Sequence, residues 1–182
     1  MKVKFVSIIS RDDKPLYIQA FDLDQAEFND PKNANKFLQY NFLSHMALDI
    51  LASPISLQIR EQQDSTEDNE GVILLFIQEG VTVYGYETST ALKLVIGLGR
   101  DDEESRKQEN DDKSGNTGNI KAERDGVKRI KDIFMQIHKC YIKAICNPFS
   151  NFDDENQGSE EMLQNERFDH NIKRIVNEWN AR

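Results

Sequence analysis

Val72-Ile-Leu-Leu-Phe-Ile-Gln-Glu-Gly-Val-Thr-Val-Tyr-Gly-Tyr-Glu-Thr-Ser-Thr-Ala-Leu-Lys-Leu-Val-Ile-Gly97 decides the fold. Val72 to Ile77 is an unbroken apolar run rich in β-branched and aromatic residues, which reads as a strand covered on both faces. Glu79-Gly80 is a turn signal. Val81, Val83 and Gly85 then alternate with Thr82, Tyr84 and Tyr86. A second turn at Thr88-Ser89-Thr90 leads to Leu92, Leu94 and Ile96 alternating with Lys93 and Val95. Strands joined this closely are antiparallel neighbours, so the stretch is a three-stranded meander.

Working outward on the N-terminal side, Lys2 to Ser10 is a further strand. Val3 and Phe5 are expected on one face, Val6 and Ile8 on the other. Asp12-Asp13-Lys14-Pro15 is a hairpin turn, followed by a strand from Leu16 to Phe21. Asp22 to Asn35 reads as polar loop. A helix follows from Asn35 to Ala52, with Asn33 or Asn35 as its N-cap. Its apolar residues point nearly all the way round, and a helix apolar all round is buried all round. One side can pack on the sheet. The other has little of its own domain left to cover it, which points to a protein interface. The mixed sector of this helix holds Asn41, Ser44, His45 and Asp49, with Phe37, Leu38 and Leu48 among these polar groups. His45 and Asp49 are neighbours at a spacing of four; they read as a surface hydrogen bond or ion pair, or as a polar element inside an interface.

On the C-terminal side, residues from about 99 to 124 form a polar, acidic insertion that cannot bury enough apolar area to offset its ordering entropy. A second helix is expected from Val127 to Cys146, capped by Asp125, with Val127, Ile130, Ile133, Phe134, Ile137 and Tyr141 in one stripe. A third helix, capped by Ser159, carries Phe168, Ile172, Ile175, Val176 and Trp179. The expected order is β-β-α-β-β-β-α-α, a single α+β domain of 182 residues.

Composition bounds the function. A formal net charge of −9 argues against a general nucleic-acid or anionic-membrane binder, which needs a basic field. No apolar run approaches the ~20 residues of a membrane span. The N-terminus lacks a signal-peptide cleavage pattern. Two cysteines and no N-glycosylation acceptor fit a cytosolic setting. Candidate chemistry is sparse. Gly97-Leu98-Gly99 lacks the third glycine of a dinucleotide fingerprint and reads as a strand running into a flexible loop. His138, Cys140 and Cys146 lack the spacing of a zinc set. Asp22 and Asp24 lack the glycine and distal glutamate of a calcium loop. His170 beside Asp169 reads as a surface residue. No nucleophile is placed by any motif. The expectation is a protein without enzymatic activity, cofactor or metal.

Four segments carry a family resemblance. Tyr40-Asn-Phe-Leu-Ser-His-Met-Ala-Leu-Asp49 resembles the His-X-X-Leu-Asp signature of sedlin-like small subunits of the TRAPP vesicle-tethering complex. Val83-Tyr-Gly-Tyr-Glu-Thr88 resembles the fourth strand of the TRAPP subunit 2-like subgroup. Tyr141 to Phe149, ending in Asn-Pro-Phe, and Phe168-Asp169 at the opening of the last helix match that family in order. The acidic insertion and a longer Pro31-Lys32 loop depart from its pattern.

The resemblance implies a longin, or SNARE-like, fold: a five-stranded antiparallel sheet ordered 2-1-5-4-3, with helix one on one face and two C-terminal helices on the other. It also implies a non-catalytic adaptor, cytoplasmic and peripheral at ER and Golgi membranes only through its complex. Its partners would be other TRAPP subunits and, indirectly, a Rab GTPase. Asp49 would orient a partner, surrounded by Phe37, Leu38, Asn41, His45 and Leu48. The competing expectation is a longin-type regulator that binds a SNARE or small GTPase directly.

Overall fold

The computed structural model describes residues 1–23, 31–56, 58, 71–99, 119–147, 163 and 165–181. Its sheet contains β1 (Lys2–Ile9), β2 (Pro15–Ala20), β3 (Val72–Gln78), β4 (Val81–Glu87) and β5 (Lys93–Gly99). They are ordered β2-β1-β5-β4-β3, every neighbouring pair antiparallel. The helices are α1 (Pro31–Leu51), α2 (Asn119–Ile145) and α3 (Glu166–Asn180). The tight turns obey their residues: Glu79 and Gly80 take φ of 51° and 76° in the two-residue β3–β4 connection, as a primed hairpin turn requires.

The sheet carries apolar side chains on both faces and is covered on both. Against α1 lie Phe5, Ile9, Val81, Val83 and Val95, meeting Tyr40, Leu43, Ala47 and Leu51. Against α2 and α3 lie Val6, Ile8, Leu94, Ile96 and Leu98, meeting Ile133, Phe134, Ile137, Ile172 and Val176. This is the expected two-sided arrangement, with the expected strand order.

Val3 and Phe5 do not share a face. Val3 joins the α2–α3 core and Phe5 the α1 core. The pairing of β1 with β5 slips between Val3 and Phe5. The extra residue of that bulge turns Val3 over. The same place explains Gly97, which lies inside β5 rather than leading into a loop. A Cβ there would stand 2.2 Å from the Phe5 ring, so the glycine makes room for an aromatic on the neighbouring strand.

Helix boundaries also differ from expectation. α1 begins at Pro31, so Asn33 and Asn35 are helical residues and not caps. Proline suits the first helical position, where its missing N–H costs nothing and its fixed φ is already helical. α2 begins at Asn119, which takes Asp125 and the tail of the expected insertion into the helix; Lys121-Ala122-Glu123-Arg124 are all good helix formers. Residues 100–118 and Ser159 lie outside the described residues. α3 is capped by Asn165, whose side-chain oxygen accepts from the Arg167 amide at 2.9 Å. β3 is covered less fully than its sequence suggests: Leu74 is 50% exposed and Ile77 68% exposed. Its place at the sheet edge leaves these positions beyond the span of the helices.

Candidate functional site: the outer flank of α1

α1 is held to the sheet by its inner side. Tyr40 stacks on Phe5 with ring centroids 5.1 Å apart. Ser44 Oγ donates to Ser7 Oγ at 2.7 Å, and this buried pair satisfies two hydroxyls the apolar layer would otherwise penalise. The N-terminal half of α1 is tied to the end of β2 by Asp22. Its Oδ2 accepts from Tyr40 Oη at 2.7 Å and pairs with Lys36 at 3.0 Å and Lys4 at 3.7 Å. The Lys36 ammonium also donates to the Asp22 carbonyl. Asp22, considered above only as a rejected calcium ligand, is thus a polar anchor. Burial, then the bond to Asp22, pushes the Tyr40 hydroxyl well above the ordinary phenol range.

The outer side is uncovered. Leu38 is 64% exposed and Phe42 58% exposed, and His45 and Asp49 are exposed beyond them. Positions 38, 42, 45 and 49 advance by four, three and four, so they form one stripe along the helix. Asn41 is half-buried, its amide donating to the Phe37 carbonyl at 2.9 Å. Phe37 and Leu48 are half-buried and packed against the α1 core. The six residues singled out from sequence therefore divide into an exposed group of Leu38, His45 and Asp49 and a supporting group of Phe37, Asn41 and Leu48. No hydrogen bond or ion pair joins His45 to Asp49, so both leave their polar atoms available to a partner. Ser7, Pro15, Ile18, Asn41, His45 and Leu48 line a shallow cleft beside the stripe, between the β1–β2 hairpin and α1.

Sequence reasoning missed one residue of this flank, Phe42, and one exposed residue just past the end of α1, Ile55. From sequence Phe42 is one more apolar residue of a helix that is apolar nearly all round, although its spacing from Leu38 and His45 places it in their stripe. Ile55, also exposed, follows the Ser53-Pro54 break and belongs to no periodic pattern.

The other titratable residues do not converge. Cys140 is buried and Cys146 exposed. His138 lies edge-on to Tyr86 at 6.4 Å, and burial lowers its pKa. Asp169 accepts from Tyr17 Oη at 2.7 Å and pairs with Lys173 at 2.7 Å. Among the described residues no group of three or more His, Cys, Asp or Glu could hold a metal ion, and no helix is long and apolar enough to cross a membrane.

A five-stranded antiparallel sheet ordered β2-β1-β5-β4-β3, with one helix on one face and two on the other, is a longin-type module. The family model described as Sedlin matches residues 8–178, and the chain belongs to the sedlin family. It is 28% identical over 152 residues to the trafficking protein particle complex subunit 2-like protein of Bos taurus, covering 84% of this chain and 86% of the relative. The Xenopus tropicalis protein of the same name is 24% identical over 171 residues, 94% of each chain. The TRAPP-associated protein TCA17 of Saccharomyces cerevisiae is 30% identical over 152 residues, covering 83% and 82%.

Proposed function

We propose that the chain is a non-catalytic adaptor subunit of the TRAPP tethering complex that docks through the outer flank of α1. It would act in ER-to-Golgi and intra-Golgi vesicle transport and support the complex's guanine-nucleotide exchange on a Rab GTPase. It would lie in the cytoplasm and reach ER and Golgi membranes only through that complex. Relatives from animals and yeast whose names tie them to TRAPP support the complex. The observation that carries the surface is the exposure of Leu38 and Phe42 on a helix whose opposite side is sealed. Two large apolar side chains left in water on one stripe gain about 1.5–3 kcal/mol each when a partner covers them fully. Asp49 at the end of the stripe adds a charge-assisted hydrogen bond to a partner amide or cation.

The test is affinity purification from the protein's own cells. Asp49→Tyr should leave the chain folded, because Asp49 is exposed and unbonded, and should reduce recovery of other TRAPP subunits at least several-fold. Unchanged recovery refutes the role given to Asp49. Micromolar binding of the isolated chain to a SNARE helix or GTPase, with TRAPP subunits absent, would establish the direct-regulator reading instead.

A further inference from the structure

At one edge of the sheet, β3 has no strand beyond it among the described residues. Edge strands are normally guarded by charge, proline, shortness or a bulge. β3 has seven residues, Val-Ile-Leu-Leu-Phe-Ile-Gln, with no charge and no proline, and its one guard is the bulge between Leu74 and Phe76. The other edge, β2, begins with Pro15 and is shorter.

The side chains of β3 are distributed unevenly. Leu74 faces Tyr84 and Ile77 faces Thr82, which puts both on the side of the sheet covered by α2. Phe76 and Leu75 both pack on the α1 side. The register slip between Leu74 and Phe76 sets these two neighbours on one face. The consequence is a strand that matches itself. When two copies of β3 run antiparallel about a two-fold axis between Leu75 and Phe76, Leu74 stands opposite the partner subunit's Ile77, and Ile77 opposite the partner subunit's Leu74. Both pairs lie on the α2 side. Leu75 then stands opposite the partner's Phe76 on the α1 side. The two exposed residues of the strand are thus the two that this symmetry brings together.

We propose that the outer edge of β3 is a self-association site, at which a second copy of this chain adds its own β3 to make a ten-stranded sheet. Two observations single out this occupant. The unpaired backbone of an edge accepts an extended strand, and the pairing of Leu74 with Ile77 is satisfied by the same strand turned about a two-fold axis. Met135 and Ile142, exposed on α2, stand three before and four after His138, which faces Tyr86 on the neighbouring β4; they extend apolar surface along this side. A pair of seven-residue strands falls short of the ~1,600 Å² of a standard stable interface, so half-association is expected on the order of 10–100 μM. The site is independent of the α1 flank and of the TRAPP reading.

Sedimentation velocity of the purified full chain tests it. The wild type should shift from monomer to dimer as concentration rises through that range. Each copy carries a net charge of −9 while β3 carries none, so added salt should strengthen the dimer by screening the repulsion. Leu74→Lys and Ile77→Lys, each at an exposed position, should abolish the dimer with little change in melting temperature. Leu38→Lys on α1 should leave it intact. In a Cys146→Ser background, Leu74→Cys mixed with Ile77→Cys should cross-link under mild oxidation, and either alone should not. A wild type that stays monomeric to 200 μM (about twice the upper bound) overturns the proposal. So does a dimer that Leu38→Lys breaks and both β3 variants spare. Failure here leaves the Asp49→Tyr result untouched, so the two readings fail separately.

Discussion

The two faces of the sheet are built by the same rule and finished differently. On the α2–α3 face, two helices share the covering. Leu163, Phe168, Ile172 and Val176 back up Ile133, Phe134 and Ile137, and all are buried. On the α1 face a single helix covers a smaller set, and its own far side is left with Leu38 and Phe42 in water. Each face has a tyrosine bonded to an aspartate at 2.7 Å, Tyr17 to Asp169 and Tyr40 to Asp22. The polar locks are therefore alike, and the difference lies in the second helix. Where two helices share a face, the apolar surplus is smaller: Met135 and Ile142 on α2 are less exposed than Leu38 and Phe42 on α1. Where one helix works alone and is apolar on both sides, the surplus is surface.

The largest effect should come from the closed face. Phe134 is fully buried and lies 5.9 Å from Tyr86, so Phe134→Ala should cost about 3–5 kcal/mol in urea unfolding. A loss under about 1 kcal/mol would show that this core is looser than its burial implies.

The two tyrosine locks should give an intermediate effect. Tyr17→Phe or Tyr40→Phe each removes one hydrogen bond and should cost about 1 kcal/mol. Burial and the aspartate bond raise both hydroxyls well above the ordinary phenol pKa of about 10. Their contribution is fully present below pH ~10, where folded and unfolded phenols are both protonated. It is lost as pH rises beyond that, because the unfolded chain ionises first. Thermal melts from pH 8 to 11 should show wild-type stability falling on the alkaline side, and each Phe variant should flatten that fall. Equal flattening by the two variants would confirm that the locks are equivalent.

The smallest effect on stability should come from the open flank. Leu38→Ala should change unfolding free energy by no more than about 0.5 kcal/mol, while lowering recovery of partners in the same purification that tests Asp49. A large destabilisation would mean that the far side of α1 is covered within its own chain.

The sheet was legible in the sequence because its signals are local. Alternation from Val81 to Ile96 and turn residues at Glu79-Gly80 fix antiparallel neighbours without reference to the rest of the chain. The strand order 2-1-5-4-3 came from family resemblance. The bulge that separates Val3 from Phe5 was illegible. Alternation presumes an unbroken ladder, and only the proximity of Phe5 to Gly97, far along the chain, reveals the break. Helix starts were misplaced where polar good helix formers, as at Lys121 to Arg124, resemble loop. Of the candidate site, the exposed part was half legible. Periodicity showed that α1 had too many apolar residues. It could not tell that Phe37 and Leu48 lean into the core while Phe42 stands free, because that depends on how the helix is rotated against β3 and β4. Asp22 as an anchor left no signal in the sequence, since its partners Lys4, Lys36 and Tyr40 lie on two other elements, β1 and α1, far from it along the chain.

Gly97 and Phe5 occupy a single volume between two strands. Drift at either position is consequently hostage to the other. A descendant chain that acquires alanine at 97 should survive only if residue 5 has first become smaller, and aligned descendants should change the two positions in that order.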